Sequence, residues 1–255
     1  MKIVVLVKAV PNPTGTPEIG EGFRLKREGV ELALDPGDEY GVELGLQLAE
    51  QTGGEVTYVS MGPAGATAAV RRALSMGGDR AVLVTDPALA GADALATARV
   101  LAAAVGRQPF DLVIAGAEST DGYTGTLPMA VAELLGVASA SFARRVELRD
   151  GAIRLERQTA DGYDVVECPL PAVLTVTAGV ASPRYPTLKG IMQAKQKPFE
   201  QLTVADLGLS AEEVAATQTV ERVDAAPERG RGELVQDAGD GAARIAEFLA
   251  EAKVI

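Results

Sequence analysis

Leu112-Val113-Ile114-Ala115-Gly116-Ala117-Glu118-Ser119-Thr120-Asp121-Gly122-Tyr123-Thr124-Gly125-Thr126 passes from an apolar, strand-like run into a loop of glycines, hydroxyls and acids. Helical spacing follows over Thr124–Leu135. A strand, glycine-rich loop and helix in that order belong at the carboxyl edge of an open α/β sheet, where such sheets bind ligands. Glycines let a ligand approach the backbone, and the free N–H groups of a helix start favour an anion. Thr124 and Thr126 add hydroxyl donors for a phosphate. Asp121 would repel phosphate, so it orders the loop or accepts from a sugar hydroxyl. An ordinary capped turn would use the same residues, so the segment points to a nucleotide phosphate without requiring one. Neither G-x-G-x-x-G nor G-x-x-x-x-G-K-[ST] occurs at a strand–helix junction, which leaves a dinucleotide fingerprint and a phosphate-transferring P-loop unsupported.

The same alternation repeats upstream. Strand candidates Lys2–Val7, Glu55–Ser60 and Ala81–Thr85 interleave with helix candidates Asp38–Gln51, Ala64–Met76 and Ala92–Val105. Asp38 and Ser60 or Pro63 supply helix starts; Gly53-Gly54, Gly77-Gly78 and Gly136 supply stops. Short β-branched runs between Ala/Leu-rich helices predict a parallel sheet with crossover helices. Downstream the pattern changes to hairpins: Phe142–Leu148, Ala152–Gln158 and Tyr163–Glu167 flank Asp150-Gly151 and Asp161-Gly162, a dipeptide suited to type I′ turns. Ala172–Thr177 reads as a further core strand. The expected fold is α/β, a Rossmann-like parallel sheet with a hairpin extension. Residues 1–200 form the α/β domain, and residues 201–255 an extended arm. That arm is polar over Thr217–Gly241, ends in a helix near Ala242–Lys253, and needs a surface to lie on.

Composition narrows the function. The 255 residues carry 24 Lys+Arg against 35 Asp+Glu, a net charge of −11, which argues against a nucleic-acid binder. No apolar run approaches the roughly 18–20 residues of a membrane span, and the opening Met1–Val7 reads as a buried strand rather than a signal peptide, so the expected location is the cytoplasm. Histidine and tryptophan are absent, which closes histidine-based acid–base chemistry and His-containing metal sites to this chain alone. Cys168 is the single cysteine, has no acid–base partner of the histidine type, and reads as core filler. Glu118 and Asp121 make a carboxylate pair, but no second feature supports glycoside chemistry.

Other strand ends line the same crevice. The first runs into Lys8-Ala9-Val10-Pro11-Asn12 and the second into Ser60-Met61-Gly62-Pro63. Leu6 and Met61 either offer apolar contact to a base or fill the core, the commoner fate of such side chains. Asp35-Pro36-Gly37-Asp38 reads as a turn with an N-cap, or as a ligand contact. The segment Ala178–Phe199 holds no Asp or Glu, yet carries Arg184, Lys189, Lys195 and Lys197 with Tyr185, Leu188, Ile191 and Met192 between them. A basic loop with apolar tips suits docking on an acidic partner; the alternative is a solvated loop packing its own apolar residues.

Taken together, these residues resemble the β subunit of electron transfer flavoproteins over nearly the whole chain. The resemblance rests on Val7-Lys8-Ala9-Val10-Pro11, on Ala73-Leu74-Ser75-Met76-Gly77-Gly78-Asp79-Arg80, and on Gly116–Thr126. It rests further on Leu170-Pro171-Ala172-Val173 and on Pro183-Arg184-Tyr185-Pro186-Thr187-Leu188-Lys189-Gly190-Ile191-Met192-Gln193-Ala194-Lys195. It implies an adenine-nucleotide α-hydrolase-like fold and a heterodimer with an α subunit that holds most of the redox FAD. Electrons would pass from flavin dehydrogenases to a quinone reductase or other acceptor, without catalytic residues in this chain. It also implies a structural AMP held by Leu6, Asp35, Pro36, Gly37, Asp38, Met61 and Gly116–Leu127. The recognition segment would dock on dehydrogenases through Arg184, Tyr185, Leu188, Lys189, Ile191, Met192 and Lys195, with Leu188 as anchor, and the arm would lie on the α subunit. Where many relatives carry an acidic residue this loop has Tyr123, and some relatives hold a second FAD in place of AMP. An adenylate-forming enzyme of the same superfamily would need a pyrophosphate loop such as S-G-G-x-D, which is absent. A homodimeric nucleotide-binding module would leave the basic loop and long arm without a purpose.

Overall fold

A computed structural model describes residues 1–12, 14–15, 17–27, 29–224, 232 and 234–255. Residues 225–231 and 233, within the polar part of the arm, lie outside the described residues. Two compact units result, 1–221 and 222–255.

The first unit is built on a nine-stranded sheet. In chain order its strands are β1 (Lys2–Leu6), β4 (Glu55–Met61), β5 (Arg80–Val84), β6 (Leu112–Gly116), β7 (Ala138–Arg149), β8 (Ala152–Gln158), β9 (Tyr163–Pro169), β10 (Ala172–Val176) and β11 (Phe199–Leu202). A separate antiparallel pair, β2 (Ala9–Pro11) and β3 (Leu32–Leu34), stands between β1 and the first helix. The order across the sheet is β11-β5-β4-β1-β6-β10-β7-β8-β9. Pairings from β11 through β7 are parallel, and β7–β8–β9 are antiparallel.

Helices α1 (Pro36–Thr52) and α2 (Thr67–Met76) cover one face, and α3 (Ala94–Gly106) and α4 (Leu127–Leu135) the other. Both faces of the central strands are therefore dry: every residue of β6 and β10 is buried, which explains their almost wholly apolar sequences. Among the described residues, no helix is long and apolar enough to cross a membrane.

Three local expectations are corrected. Helix α1 begins at Pro36, with Asp35 rather than Asp38 as its N-cap; the Asp35 carboxylate accepts from the Gly37 N–H at 2.9 Å. Helix α4 begins at Leu127 rather than Thr124, since Tyr123 and Gly125 both take positive φ and keep the loop open until then. The Asp150-Gly151 turn joins Arg149 to its partner Ala152, but only Gly151 has positive φ, whereas a type I′ turn needs it at both central residues.

The first unit also runs past residue 200, where the sequence places the domain boundary. β11 adds to the sheet beside β5, the Thr203–Asp206 turn follows, and Val204 and Val214 are buried against the α3 face. In the second unit, α6 (Gly241–Glu251) buries none of its residues and exposes Ile245 and Phe248.

Helix α1 lies unusually close to the sheet because Gly45 faces Val5; a Cβ there would stand 2.9 Å from the Val5 Cγ2. Gly45→Leu would gain about 1 kcal/mol in helix propensity. The bulk forced between helix and sheet costs about 1–3 kcal/mol in a packed core. Net destabilisation is therefore expected, read as a lower urea midpoint with unchanged m-value.

Candidate functional site

The chain leaves β1 toward β4 and β5, then returns to β6 on the other side of β1. Consecutive connections thus diverge at the carboxyl ends of β1 and β6, and a crevice opens there. Asp35, Asp38 and the loop after β6 come together at these strand ends. Asp35 is wholly buried: its carboxylate accepts from the Thr120 N–H at 2.7 Å and the Thr120 hydroxyl at 3.1 Å, as well as from Gly37. Asp38, in the first turn of α1, accepts from the Lys8 N–H at 2.7 Å. Leu6 is buried in the apolar cluster on the α3–α4 side, and Met61 and Leu127 pack partly buried against it.

Asp121 is the pivot of the loop. Its side chain is 4% exposed, and its two oxygens pair with the Lys8 Nζ at 2.6 Å and with the Arg27 guanidinium. Burial alone would push this carboxyl up, but the two cations outweigh it and hold it below the usual carboxylate range. One acid against two bases leaves this trio with an excess positive charge. Lys8 also donates to the Ser119 hydroxyl at 3.1 Å. Tyr123 sits in the left-handed region at φ 48°, strain of a kind concentrated at ligand sites, and its ring is exposed. The Thr126 side chain makes no capping bond, so α4 presents first-turn N–H groups without a side-chain acceptor.

Arg27 is absent from the residues singled out by sequence, and Lys8 appears there only at the head of the segment after the first strand, with no role of its own. Lys8 follows the first strand directly, so its position was legible; Arg27 comes from a loop 94 residues from Asp121 with no periodic pattern.

The basic segment forms a second feature. Helix α5 (Leu188–Ala194) is capped by Thr187, whose hydroxyl accepts from the Gly190 N–H at 3.0 Å. Tyr185, Leu188 and Met192 are 88%, 76% and 63% exposed, too much for the alternative in which the loop packs its own apolar residues. Ile191 is partly exposed. Lys189 and Lys195 make no ion pair among the described residues, but Arg184 does: it is bonded to Glu43 and Glu50 on α1.

A family profile described as "Electron transfer flavoprotein domain" matches residues 22–207. The electron transfer flavoprotein subunit beta of Mycobacterium tuberculosis is 40% identical, with 99% of each chain covered. The chain belongs to the electron transfer flavoprotein β-subunit family. The subunit of the same description from Thermoanaerobacterium thermosaccharolyticum is 38% identical over 86% of this chain and 88% of its own. The caffeyl-CoA reductase-Etf complex subunit CarD of Acetobacterium woodii is 34% identical over 92% of both. Membership makes this β subunit a flavoprotein component with a role in electron transport.

One consequence of the site is a pH dependence. Burial, then the neighbouring Asp35, push the Asp38 carboxyl up to about 8, while the Lys8 and Gly116 N–H groups pull the other way. Between its ordinary value of 3.8 and 8, the folded protein keeps a proton that the unfolded chain has lost. Stability from this group is thus full below 3.8 and declines as pH rises toward 8. The chain has no histidine to titrate in the same range. The urea midpoint is expected to fall from pH 5.5 to 8, and Asp38→Asn to flatten that decline.

Proposed function

We propose that this chain pairs with an electron transfer flavoprotein α subunit, holds a structural AMP in the β1/β6 crevice, and helps retain an FAD bound mainly by the α subunit. The observation that carries the AMP reading is the Lys8–Asp121–Arg27 trio. It turns the acid that would repel a phosphate into part of a positively charged cluster beside the Thr124 and Thr126 hydroxyls and the first-turn N–H groups of α4. The fit to an adenine nucleotide is good on both sides: the loop and Lys8 supply donors to a phosphate. Leu6, Met61 and Leu127 supply an apolar wall for a base.

When bound, FAD supplies the redox chemistry. The chain's own part is to bind, orient and dock. In this reading α5 meets flavin dehydrogenases, with Leu188 as the buried anchor and Lys189 and Lys195 raising the encounter rate. The exposed apolar face of α6 and the polar arm before it lie on the α subunit, and a quinone reductase or similar acceptor takes the electrons.

The test is nucleotide content. The chain is co-expressed with its α subunit, and the purified complex is denatured and its released nucleotides separated by chromatography. Equimolar FAD and AMP are expected. A second FAD in place of AMP would make the crevice a flavin site, and absence of both complex and nucleotide would overturn the reading. Lys8→Ala should lower AMP content while leaving FAD in place. Leu188→Ala should slow reduction by a cognate dehydrogenase with FAD content intact.

A further inference from the structure

Seven residues are too few for α5 to be stable by itself, so its position is imposed by what it touches. Gly190 lies against the last turn of α2: a Cβ there would stand 2.5 Å from the Ser75 carbonyl oxygen. Ala194 is buried, and its carbonyl accepts from Arg71 at 2.5 Å. Past the helix, the Lys197 ammonium donates to the Leu74 and Gly77 carbonyls at 3.1 and 3.2 Å, closing the C-terminal end of α2.

The other end is held by charge. Arg184 forks onto Glu43, with Nε at 2.8 Å and Nη2 at 3.0 Å, and its backbone N–H donates to the same carboxylate at 3.1 Å. Its Nη1 reaches Glu50 at 2.6 Å. Glu43 is 3% exposed and has one further partner, Gln47 at 2.8 Å. A carboxylate in that position is costly unless paired. Neither the crevice nor the sheet uses it.

We propose that Glu43 and Arg184 are positioning residues for the docking surface: they clamp the segment that precedes α5 onto α1, so that Tyr185, Leu188 and Met192 stand exposed in one preset arrangement. The inference rests on the docking reading of α5 given above. It reassigns Arg184, because a guanidinium forked onto a buried carboxylate has its charge matched and steers little. Lys189 and Lys195 keep the steering role. A preset surface spares the ordering cost that a mobile loop would meet on association.

The test uses the intact heterodimer and its cognate flavin dehydrogenase, with KM for the dehydrogenase, kcat and their salt dependence as readouts. Glu43→Gln keeps the shape and removes the charge; KM should rise by roughly five- to tenfold with kcat unchanged, on the scale of one to a few side chains left to be ordered. The salt slope should stay native, whereas Lys189→Gln and Lys195→Gln should flatten it. In a Leu188→Ala background, Glu43→Gln should cost less than in the native one, because the anchor among the side chains it presets is gone. Glu50→Gln, on the exposed side of the clamp, should give a smaller rise in KM and keeps the proposal testable if Glu43→Gln impairs folding, which nucleotide content and melting temperature would reveal. Equal cost in both backgrounds, or no effect of either glutamate, overturns the positioning role while leaving docking intact. No effect of Leu188→Ala overturns the docking reading itself, and the positioning role with it.

Discussion

Three backbone segments meet on one buried carboxylate. Asp35 bonds its own N–H to the Lys8 carbonyl after β1, accepts from Gly37 at the start of α1, and accepts twice from Thr120, 85 residues away in the loop after β6. That junction joins the β1–β6 pairing, the Asp38 bond to Lys8 and the Lys8–Asp121 pair in holding the ends of β1 and β6 and the start of α1 around the crevice. A wholly buried carboxyl is tolerated there because its hydrogen-bond partners are donors and the positive end of α1 lies beside it. Asp38, one helical turn along, is itself buried and has Asp35 nearby, which favours its neutral form.

Much of this architecture was written in local pattern. The apolar runs of β1, β5 and β6, the β-branched and aromatic β4 and the Ala/Leu spacing of α1 to α4 leave little choice but a parallel sheet covered on both faces. Gly53 and Gly136 stop their helices in left-handed conformation, as their place after the last helical residue suggests. The crevice followed from strand order plus the loop after β6. Tertiary pairing was less legible. β11 reads as part of an arm because its four residues find their partner only in β5, more than a hundred positions earlier. Arg27 and Arg184 carry no sign in sequence of the acids they meet. Asp35 and Asp38 are interchangeable as caps until the backbone shows which one stands outside the helix.

The two charged clusters differ in what they join. Lys8–Asp121–Arg27 ties the loop after β6 to the strand end and to the excursion between β2 and β3, all at the crevice. Arg184–Glu43–Glu50 ties a surface segment to the flank of α1. Helix α1 therefore faces a site with its first turn and steadies a surface with its middle. Both tasks fall on an element whose close seating depends on Gly45 against Val5.

The place of β10 has a consequence for how the chain is made. It lies between β6 and β7, although it is synthesised after β7, β8 and β9. As the nascent chain emerges, β1, β4, β5 and β6 can assemble with their helices, and β7–β8–β9 can form by short-range hairpin closure, but the two halves share no strand pairing. Only when Ala172–Val176 has been translated can one strand slot between them and hydrogen-bond both ways. Until then the facing edges of β6 and β7 are open ladders of N–H and C=O groups, the feature that most invites pairing with a wrong chain. Cotranslational folding of this sheet is a process with a late keystone.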